Sequence, residues 1–157
     1  MIIIKDTREQ DGWNFENYPV EVNTGSLMSG DYSLKGLENM VAIERKSKSD
    51  LLSSLTGSNR VRLKNELERL RAYPYKALIA ECSWHDISSK NYRSAINPNS
   101  VYGSICSWCW KYRIPVIMAG DKTTGQKIAY TLFNTFVNNY MRVNKAVAVH
   151  INNQKGK

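Results

Sequence analysis

Three charged residues, Glu44, Arg45 and Lys46, directly follow a short apolar segment, Val41-Ala42-Ile43, that is typical of a buried strand. Because side chains alternate between the two faces of a strand, we expect Glu44 and Lys46 on one face and Arg45 on the other. A carboxylate and an ammonium group would then lie side by side. A second carboxylate, that of Asp31, precedes them along the chain and follows a turn-forming glycine.

These groups suit the metal-assisted hydrolysis of a phosphate ester. Carboxylate oxygens are the ligands that Mg²⁺ and Mn²⁺ prefer. Such an ion lowers the pKa of a bound water, so that hydroxide forms near neutral pH. The Lys46 ammonium group would orient that water or neutralise charge that develops on a phosphate. The residue types therefore indicate cleavage of a phosphodiester.

Short strands and tight turns are predicted to position the two carboxylates. The predicted strands cover residues 2–5, 20–22, 31–34 and 41–45. The first strand ends at Asp6, which places another acid at a strand terminus. Because the turns between the last three strands are short, we expect a meander in which Asp31 and Glu44 lie on neighbouring strands.

The rest of the chain alternates between predicted helices and strands. Helices are predicted over 51–55, 60–73, 97–113 and 124–142, and strands over 76–82 and 115–119. Residues 83–97 are polar and lack periodicity, which predicts a loop. This order predicts an α/β fold with helices on both faces of a central sheet. We expect one domain over residues 1–150 and a frayed basic tail over 151–157.

Size and charge favour a single domain that binds a polyanion. The chain has 157 residues and a formal net charge of +8, and contacts between Lys or Arg and phosphate release counterions. No segment has the ~18 apolar residues that a membrane-spanning helix needs. The three cysteines do not make a disulfide scaffold. We therefore expect a soluble protein that is cytoplasmic, or nuclear in a eukaryote, and not secreted.

Longer sequence motifs surround these charged residues and are more specific than any one of them. They are the segment 2–9, the triplet Gly30-Asp31-Tyr32, and Glu44-Arg45-Lys46 followed by Asp50. Together they resemble the ERCC4-type nuclease domain of the XPF and Mus81 structure-specific endonucleases. The resemblance is strong as far as Glu81 and weaker beyond it. It implies a restriction-endonuclease-like central mixed sheet and metal-dependent cleavage of DNA near a branch, flap or junction, in DNA repair or recombination.

The resemblance also implies the catalytic residues and the metal ligands. The implied catalytic residues are Asp6, Asp31, Glu44, Arg45 and Lys46. Asp31 and Glu44 would bind a first Mg²⁺ or Mn²⁺ ion with the main-chain carbonyl of Arg45, and Asp6 and Glu9 would help to hold a second. Taken singly, each acid has a simpler interpretation, since Asp is common in turns and a strand Glu usually points to water.

Several further residues are predicted to contact DNA or to support the site. Arg8 and Arg45 would clamp phosphates through their planar guanidinium groups, or would balance the acid cluster. Arg60 matches a basic turn residue of the family, or is a surface residue where a helix begins. Asp50 would brace Lys46 or Arg45, or is an acid favoured by the dipole of a helix's first turn.

The cysteines and aromatic residues of the second half allow other interpretations. Cys82, His85, Cys106 and Cys109 have the pairwise spacing of a zinc site, but we expect the cysteines to fill the core. The aromatic residues Trp84, Tyr92, Tyr102, Trp108, Trp110 and Tyr112 would stack on unpaired bases or, as we expect, complete the core or an interface. Related nuclease domains associate through their helical back face, so the resemblance implies that exposed Trp or Tyr residues within 102–112, or the final helix, would form a homodimer or heterodimer.

Two other functions remain open from the sequence. Some relatives keep the fold without cutting, so a non-catalytic DNA-binding partner subunit is one alternative. A restriction-like or Holliday-junction nuclease shares the same pair of acids and lysine. The sequence does not indicate the preferred DNA structure, the cut position or the choice between DNA and RNA.

Overall fold

The computed structural model describes the backbone of residues 1–155 and the side chains of residues 1–148. Within that range the strands are β1 (Ile2–Asp6), β2 (Glu21–Gly25), β3 (Tyr32–Leu34), β4 (Val41–Ser47), β5 (Tyr75–Glu81) and β6 (Val116–Met118). The helices are α1 (Lys48–Ser53), α2 (Asn59–Arg71), α3 (Trp84–Ser88), α4 (Pro98–Tyr112) and α5 (Lys122–Lys155). The predicted strands and helices are all present, with shifted ends.

The strands form one mixed sheet in the order β2-β1-β3-β4-β5-β6. Strand β3 runs antiparallel to β1 and β4, and the other neighbours are parallel. The predicted meander is wrong, because β1 lies between β2 and β3. The polar sequence of β2 suits the sheet edge, whereas the apolar β1 is paired on both sides. The pairing of β3 with β4 is confirmed, and it brings Asp31 next to β4.

Helices cover both faces of the sheet, as predicted. The apolar side chains of α1, α2, α3 and α4 form one core cluster with Ala42 and Leu78 of the sheet. Helix α5 forms the other cluster with Ile43 and Ile79, the next residue along each of the same two strands. Because β4 and β5 contribute alternate residues to two cores, they are buried on both faces. The fold class is therefore α/β.

Helix α3 lies inside the segment 83–97, so the prediction of a loop there is wrong in part. A capping box begins the helix: Ser83 Oγ accepts from the Asp86 N–H at 3.0 Å, and Asp86 Oδ2 accepts from the Ser83 N–H at 2.8 Å. Three more hydrogen bonds to Asp86 come from Ser83 Oγ, Lys48 and Asn91. Five residues are too few for helical periodicity, but the Ser-x-x-Asp spacing signals the cap.

Helix α4 begins where the Asn97-Pro98 pair predicts, with the Asn97 side chain accepting from the Asn99 N–H. Its residues Trp108 and Tyr112 are buried, as expected of core aromatics, but Trp110 is 90% exposed. Core filling by the cysteines is confirmed for Cys82 and wrong for the other two, which lie on the exposed face of α4. They lie outside the stripe of α4 that packs on α2 and the sheet.

Helix α5 is longer than the predicted 124–142. It runs to Lys155, and so into the segment 151–157 for which we expected a frayed tail; residues 156 and 157 lie outside the described residues. Strand β6 is half-buried at the sheet edge, where a buried strand was expected. In the part of the chain that the structure describes, no helix has both the length and the apolar character needed to cross a bilayer.

The packing of α5 on the sheet should contribute a large part of the stability. Phe133 on this helix is fully buried, whereas its neighbour Leu132 is 36% exposed. We expect Phe133→Ala to lower the free energy of unfolding by about 3–5 kcal/mol, because it leaves a cavity in the core, and Leu132→Ala to lower it by less than about 1 kcal/mol. Urea denaturation measures both. Equal losses would contradict this packing.

The glycine before Asp31 has two separate constraints. Gly30 has a φ of +78°, and a Cβ there would lie 3.1 Å from the Ile43 carbonyl oxygen of β4. Gly36 has nearly the same φ, +79°, with nothing within 4 Å of the Cβ position. We expect Gly36→Ala to cost about 1 kcal/mol for the left-handed backbone, and Gly30→Ala to cost about 1–3 kcal/mol more for the contact with β4. Thermal unfolding of the two variants tests this difference.

Candidate active site

The Asp31 carboxylate is fixed against strand β4 by the backbone. The Asp31 N–H donates to the Ile43 carbonyl oxygen at 2.9 Å, and Asp31 Oδ2 accepts from the Arg45 N–H at 2.7 Å. These two bonds span Glu44, the residue between Ile43 and Arg45. The side chains of Asp31 and Glu44 therefore lie close together at the junction of β3 and β4.

Glu44 and Lys46 lie on the same face of β4, as the alternation of side chains predicts. Lys46 Nζ is 2.6 Å from Glu44 Oε1 and 3.0 Å from Glu66 Oε2. Glu66 projects from α2, which packs on this face of the sheet. The sequence places Glu66 on the polar side of its helix and gives no sign of this contact, because it depends on how α2 packs against β4.

Burial and mutual repulsion raise the pKa values of Asp31 and Glu44. Burial raises the pKa of Glu44 to about 8, with a further contribution from the Asp31 carboxylate, while Lys46 opposes the shift. Burial also raises the pKa of Asp31 to about 6, against the hydrogen bond from the Arg45 N–H. Burial disfavours the Lys46 ammonium group, but Glu44 and Glu66 outweigh it and raise the Lys46 pKa above its usual value. One cation thus faces three carboxylates.

Arg45 lies on the opposite face of β4 and is buried in a second ionic network. Its guanidinium group donates to both oxygens of Glu81, at 2.7 and 2.8 Å, and to Glu9 Oε1 at 3.3 Å. The Trp13 indole N–H also donates to Glu81, at 2.8 Å. The guanidinium group balances acids here, which was one of its two predicted roles. Sequence reasoning missed Glu81 as a partner, although it is the last residue of the apolar strand β5.

Asp6 holds the loop that precedes Gly30. Its Oδ2 accepts from the Leu27 N–H at 2.7 Å, and both its oxygens accept from the Arg8 guanidinium group, at 2.6 and 3.1 Å. The Asp6 N–H donates to the Asp31 carbonyl oxygen at 2.8 Å, so the two backbones are adjacent. The pairing with Asp6 raises the pKa of Arg8, and the Asp31 and Glu44 carboxylates also contribute. Arg8, 69% exposed on its side chain, is the cation at the open side of the site.

Two predicted supporting residues lie apart from these groups. Asp50 is in the first turn of α1 and its Oδ2 accepts from the N-cap hydroxyl of Ser47 at 2.7 Å. Within the described side chains it forms no ion pair with Lys46 or Arg45. Arg60 lies at the start of α2 and lines a cleft between α2 and α4. The structure therefore brings neither residue into the group formed by Asp31, Glu44 and Lys46.

The donor set around Asp31 and Glu44 fits a hard divalent cation. Both side chains offer carboxylate oxygens, and the buried group has more acids than cations. Among the side chains of residues 1–148, no three His, Cys, Asp or Glu groups are arranged as a metal site. Two carboxylates are compatible with Mg²⁺, which keeps several of its waters. For zinc, the exposed Cys106 and Cys109 do not form a site with the buried Cys82.

Three comparisons relate the chain to known proteins. The family model described as ERCC4 domain matches residues 5–132. No curated protein matches the chain. Among solved structures, XPF from Aeropyrum pernix is similar with a TM-score of 0.71 and 23% identity over 92% of this chain and 69% of that one. XPF from Aeropyrum pernix in complex with DNA is similar with a TM-score of 0.63 and 22% identity, over 88% and 66% of the two chains.

The structural likeness confirms the restriction-endonuclease-like fold, with its mixed sheet and its helices on both faces. The family match includes all the predicted site residues from Asp6 to Arg60. Since that match covers most of the chain, the protein belongs to the ERCC4 domain family.

Proposed function

We propose that the protein is a metal-dependent endonuclease that hydrolyses phosphodiester bonds in DNA, at branched or flapped sites. The observation that carries the proposal is the packing of Asp31, Glu44 and Lys46 at the junction of β3 and β4, in a chain of the ERCC4 domain family. A similar solved structure, XPF from Aeropyrum pernix, is a complex with DNA. The net charge of +8 is consistent with a polyanionic substrate.

In this proposal Asp31 and Glu44 hold Mg²⁺ or Mn²⁺, with the main-chain carbonyl of Arg45 as a further ligand. When bound, the ion supplies hydroxide near neutral pH and Lewis acidity at the phosphate. Gly30 allows the close approach that sets Asp31 against β4. Asp6 and Glu9 would help to hold a second ion. To do so, Asp6 would have to release Arg8, and Glu9 would have to release Arg45.

Lys46 is the proposed catalytic cation. Its two carboxylate partners raise its pKa against the effect of burial, and so favour its charged form. A charged ammonium group at this position stabilises negative charge that develops on a phosphate. Glu66 acts through Lys46 and is a positioning residue. Arg8, which is exposed, is placed to bind a neighbouring phosphate, whereas Arg45 mainly organises Glu9 and Glu81.

Cleavage of labelled DNA tests the proposal directly. Forks, flaps, four-way junctions and plain duplex are offered with Mg²⁺ and then with Mn²⁺, and we expect cutting of the branched substrates only when a metal is present. Lys46→Ala and Asp31→Asn should each lower the rate by about 10²–10³, as loss of a group that stabilises the transition state does. Lys35→Ala, which removes an exposed lysine remote from the site, is the matched control.

The outcomes separate the alternative functions. A Lys46→Ala variant that cuts at the rate of the wild-type protein would overturn the catalytic assignment. Binding of branched DNA without cutting by the wild-type protein would instead indicate a non-catalytic partner subunit. Preference for four-way junctions or for plain duplex would indicate a Holliday-junction or restriction-like nuclease. A role in DNA repair or recombination, and a dimer through the helical face, are further parts of the proposal.

The raised pKa values of the two acids predict how metal binding depends on pH. Burial raises the pKa of Glu44 from its usual 4.5 to about 8. Because the folded protein then binds this proton more tightly than the unfolded chain does, the metal-free fold loses stability as the pH rises between these values. A bound divalent ion displaces that proton, so its affinity should rise by up to about tenfold per pH unit over this window. Stabilisation by Mn²⁺ should therefore be larger at pH 8 than at pH 6.

Thermal unfolding with and without Mn²⁺ measures this effect. At a hundredfold excess over the dissociation constant, the ion should stabilise the wild-type fold by about 2.7 kcal/mol. Glu44→Gln should abolish the response, whereas Glu16→Gln, a change at an exposed glutamate, should keep it. An equal response in both variants would show that Mn²⁺ binds elsewhere.

A further inference from the structure

A cleft lies between α2 and α4, apart from the group formed by Asp31, Glu44 and Lys46. Its volume is about 410 Å³. The residues that the argument uses are Arg60 and Lys64 of α2, with Gly103, Trp108, Lys111, Tyr112 and three serines of α4. This cleft and the contact with Lys46 share α2 but use different flanks of it: Arg60 and Lys64 point to the cleft, and Glu66 points to β4.

Three cations and no acid line the cleft. Arg60 and Lys64 are four residues apart on α2 and so lie on one face of the helix, and Lys111 faces them from α4. Among residues 1–148, none of these three cations forms an ion pair with a carboxylate. Arg8, Arg45 and Lys46, by contrast, are all paired with carboxylates. The cleft is therefore a site where positive charge is left uncompensated by the protein itself.

The walls of the cleft suit a small anionic group. On the α4 side they are built from serines and from Gly103, whose Cβ position has nothing within 4 Å. The floor includes the buried Trp108 and Tyr112. Lys111 Nζ lies 4.9 Å from the centre of the Tyr112 ring and 3.3 Å from its hydroxyl. Cations beside serine hydroxyls, with no acid, match a phosphate group.

We propose that this cleft binds a backbone phosphate of the DNA substrate at a distance from the bond that is cut. The identity of the ligand rests on the proposed function, whereas the anion site rests on the cleft alone. The two flanks of α2 then have separate tasks. One flank positions Lys46 through Glu66, and the other anchors the strand through Arg60 and Lys64. Arg60 thus contacts DNA as the sequence predicts, but not at the catalytic centre.

The test is DNA binding measured by fluorescence anisotropy, in EDTA so that no cutting occurs, over a series of salt concentrations. The variant Lys64→Ala/Lys111→Ala removes two cleft cations, and Lys35→Ala/Lys127→Ala removes two exposed lysines outside it. We expect the cleft variant to bind roughly tenfold more weakly, with the slope of log affinity against log salt reduced by about 1.4–1.8. The control pair should change the affinity and the salt slope by only a small fraction of these amounts.

A third variant blocks the cleft without removing a cation. Gly103→Glu has open space for its Cβ, and a glutamate replaces a glycine inside a helix, so the fold should tolerate it. Its carboxylate would pair with the cleft cations, and we expect DNA affinity to fall as in the double lysine variant. Gly103→Ala, which adds only a methyl group, should bind DNA as the wild-type protein does.

The results separate this inference from the proposed function. If the cleft variant and the control variant lost DNA affinity equally, the loss would come from the lower net charge alone, and the inference would be overturned. Cutting of branched DNA by the wild-type protein, together with unchanged binding by Gly103→Glu and Lys64→Ala/Lys111→Ala, would overturn the cleft and leave the nuclease assignment standing. Weaker binding by both variants would support the cleft even if the wild-type protein did not cut.

Discussion

The site depends on two neighbouring carboxylates that the fold buries with a single ammonium group. Asp31 and Glu44 repel each other at the junction of β3 and β4, and burial makes that repulsion stronger because little water screens it. Lys46 relieves part of it at 2.6 Å from Glu44. Burying these charges requires free energy, and apolar residues packed in the same place would destabilise the fold less. The group is therefore a poor means of stabilising the fold. The packing of the sheet and α2 maintains this charge imbalance, and a divalent cation is the partner that would remove it.

Strand β4 organises the charges because its two faces meet different elements. Glu44 and Lys46 face α2, and Arg45 faces Glu81 and the segment that contains Glu9 and Trp13. Arg45 takes part in both sets of contacts. Its backbone N–H donates to the Asp31 carboxylate, whereas its guanidinium group donates to Glu81 on the other face of the strand. A change at Arg45 would therefore disturb both faces, which complicates any reading of that residue as a simple phosphate clamp.

Local patterns predicted much of this arrangement, and contacts between distant segments account for what was missed. Alternation along β4 placed Glu44 and Lys46 together, and the Asn97-Pro98 pair marked the start of α4. The insertion of β1 between β2 and β3 has no local signal, since strand pairing depends on the whole sheet. The same holds for Glu66 and Glu81, whose roles come from elements that meet only in the folded chain.

The distribution of charge explains how an acidic site would serve the proposed polyanionic substrate. Without a metal ion, the three carboxylates around Lys46 would repel DNA, because Lys46 offsets only part of their charge. The chain nevertheless carries 22 Lys and Arg residues against 14 Asp and Glu. The excess must lie outside this site, where Arg8 is exposed at its edge and the cleft between α2 and α4 contains cations that have no acid partner among the described residues. In the proposed function, attraction at these places would hold a DNA strand near the acids, which would bind the metal ion while the surrounding cations would bind phosphate.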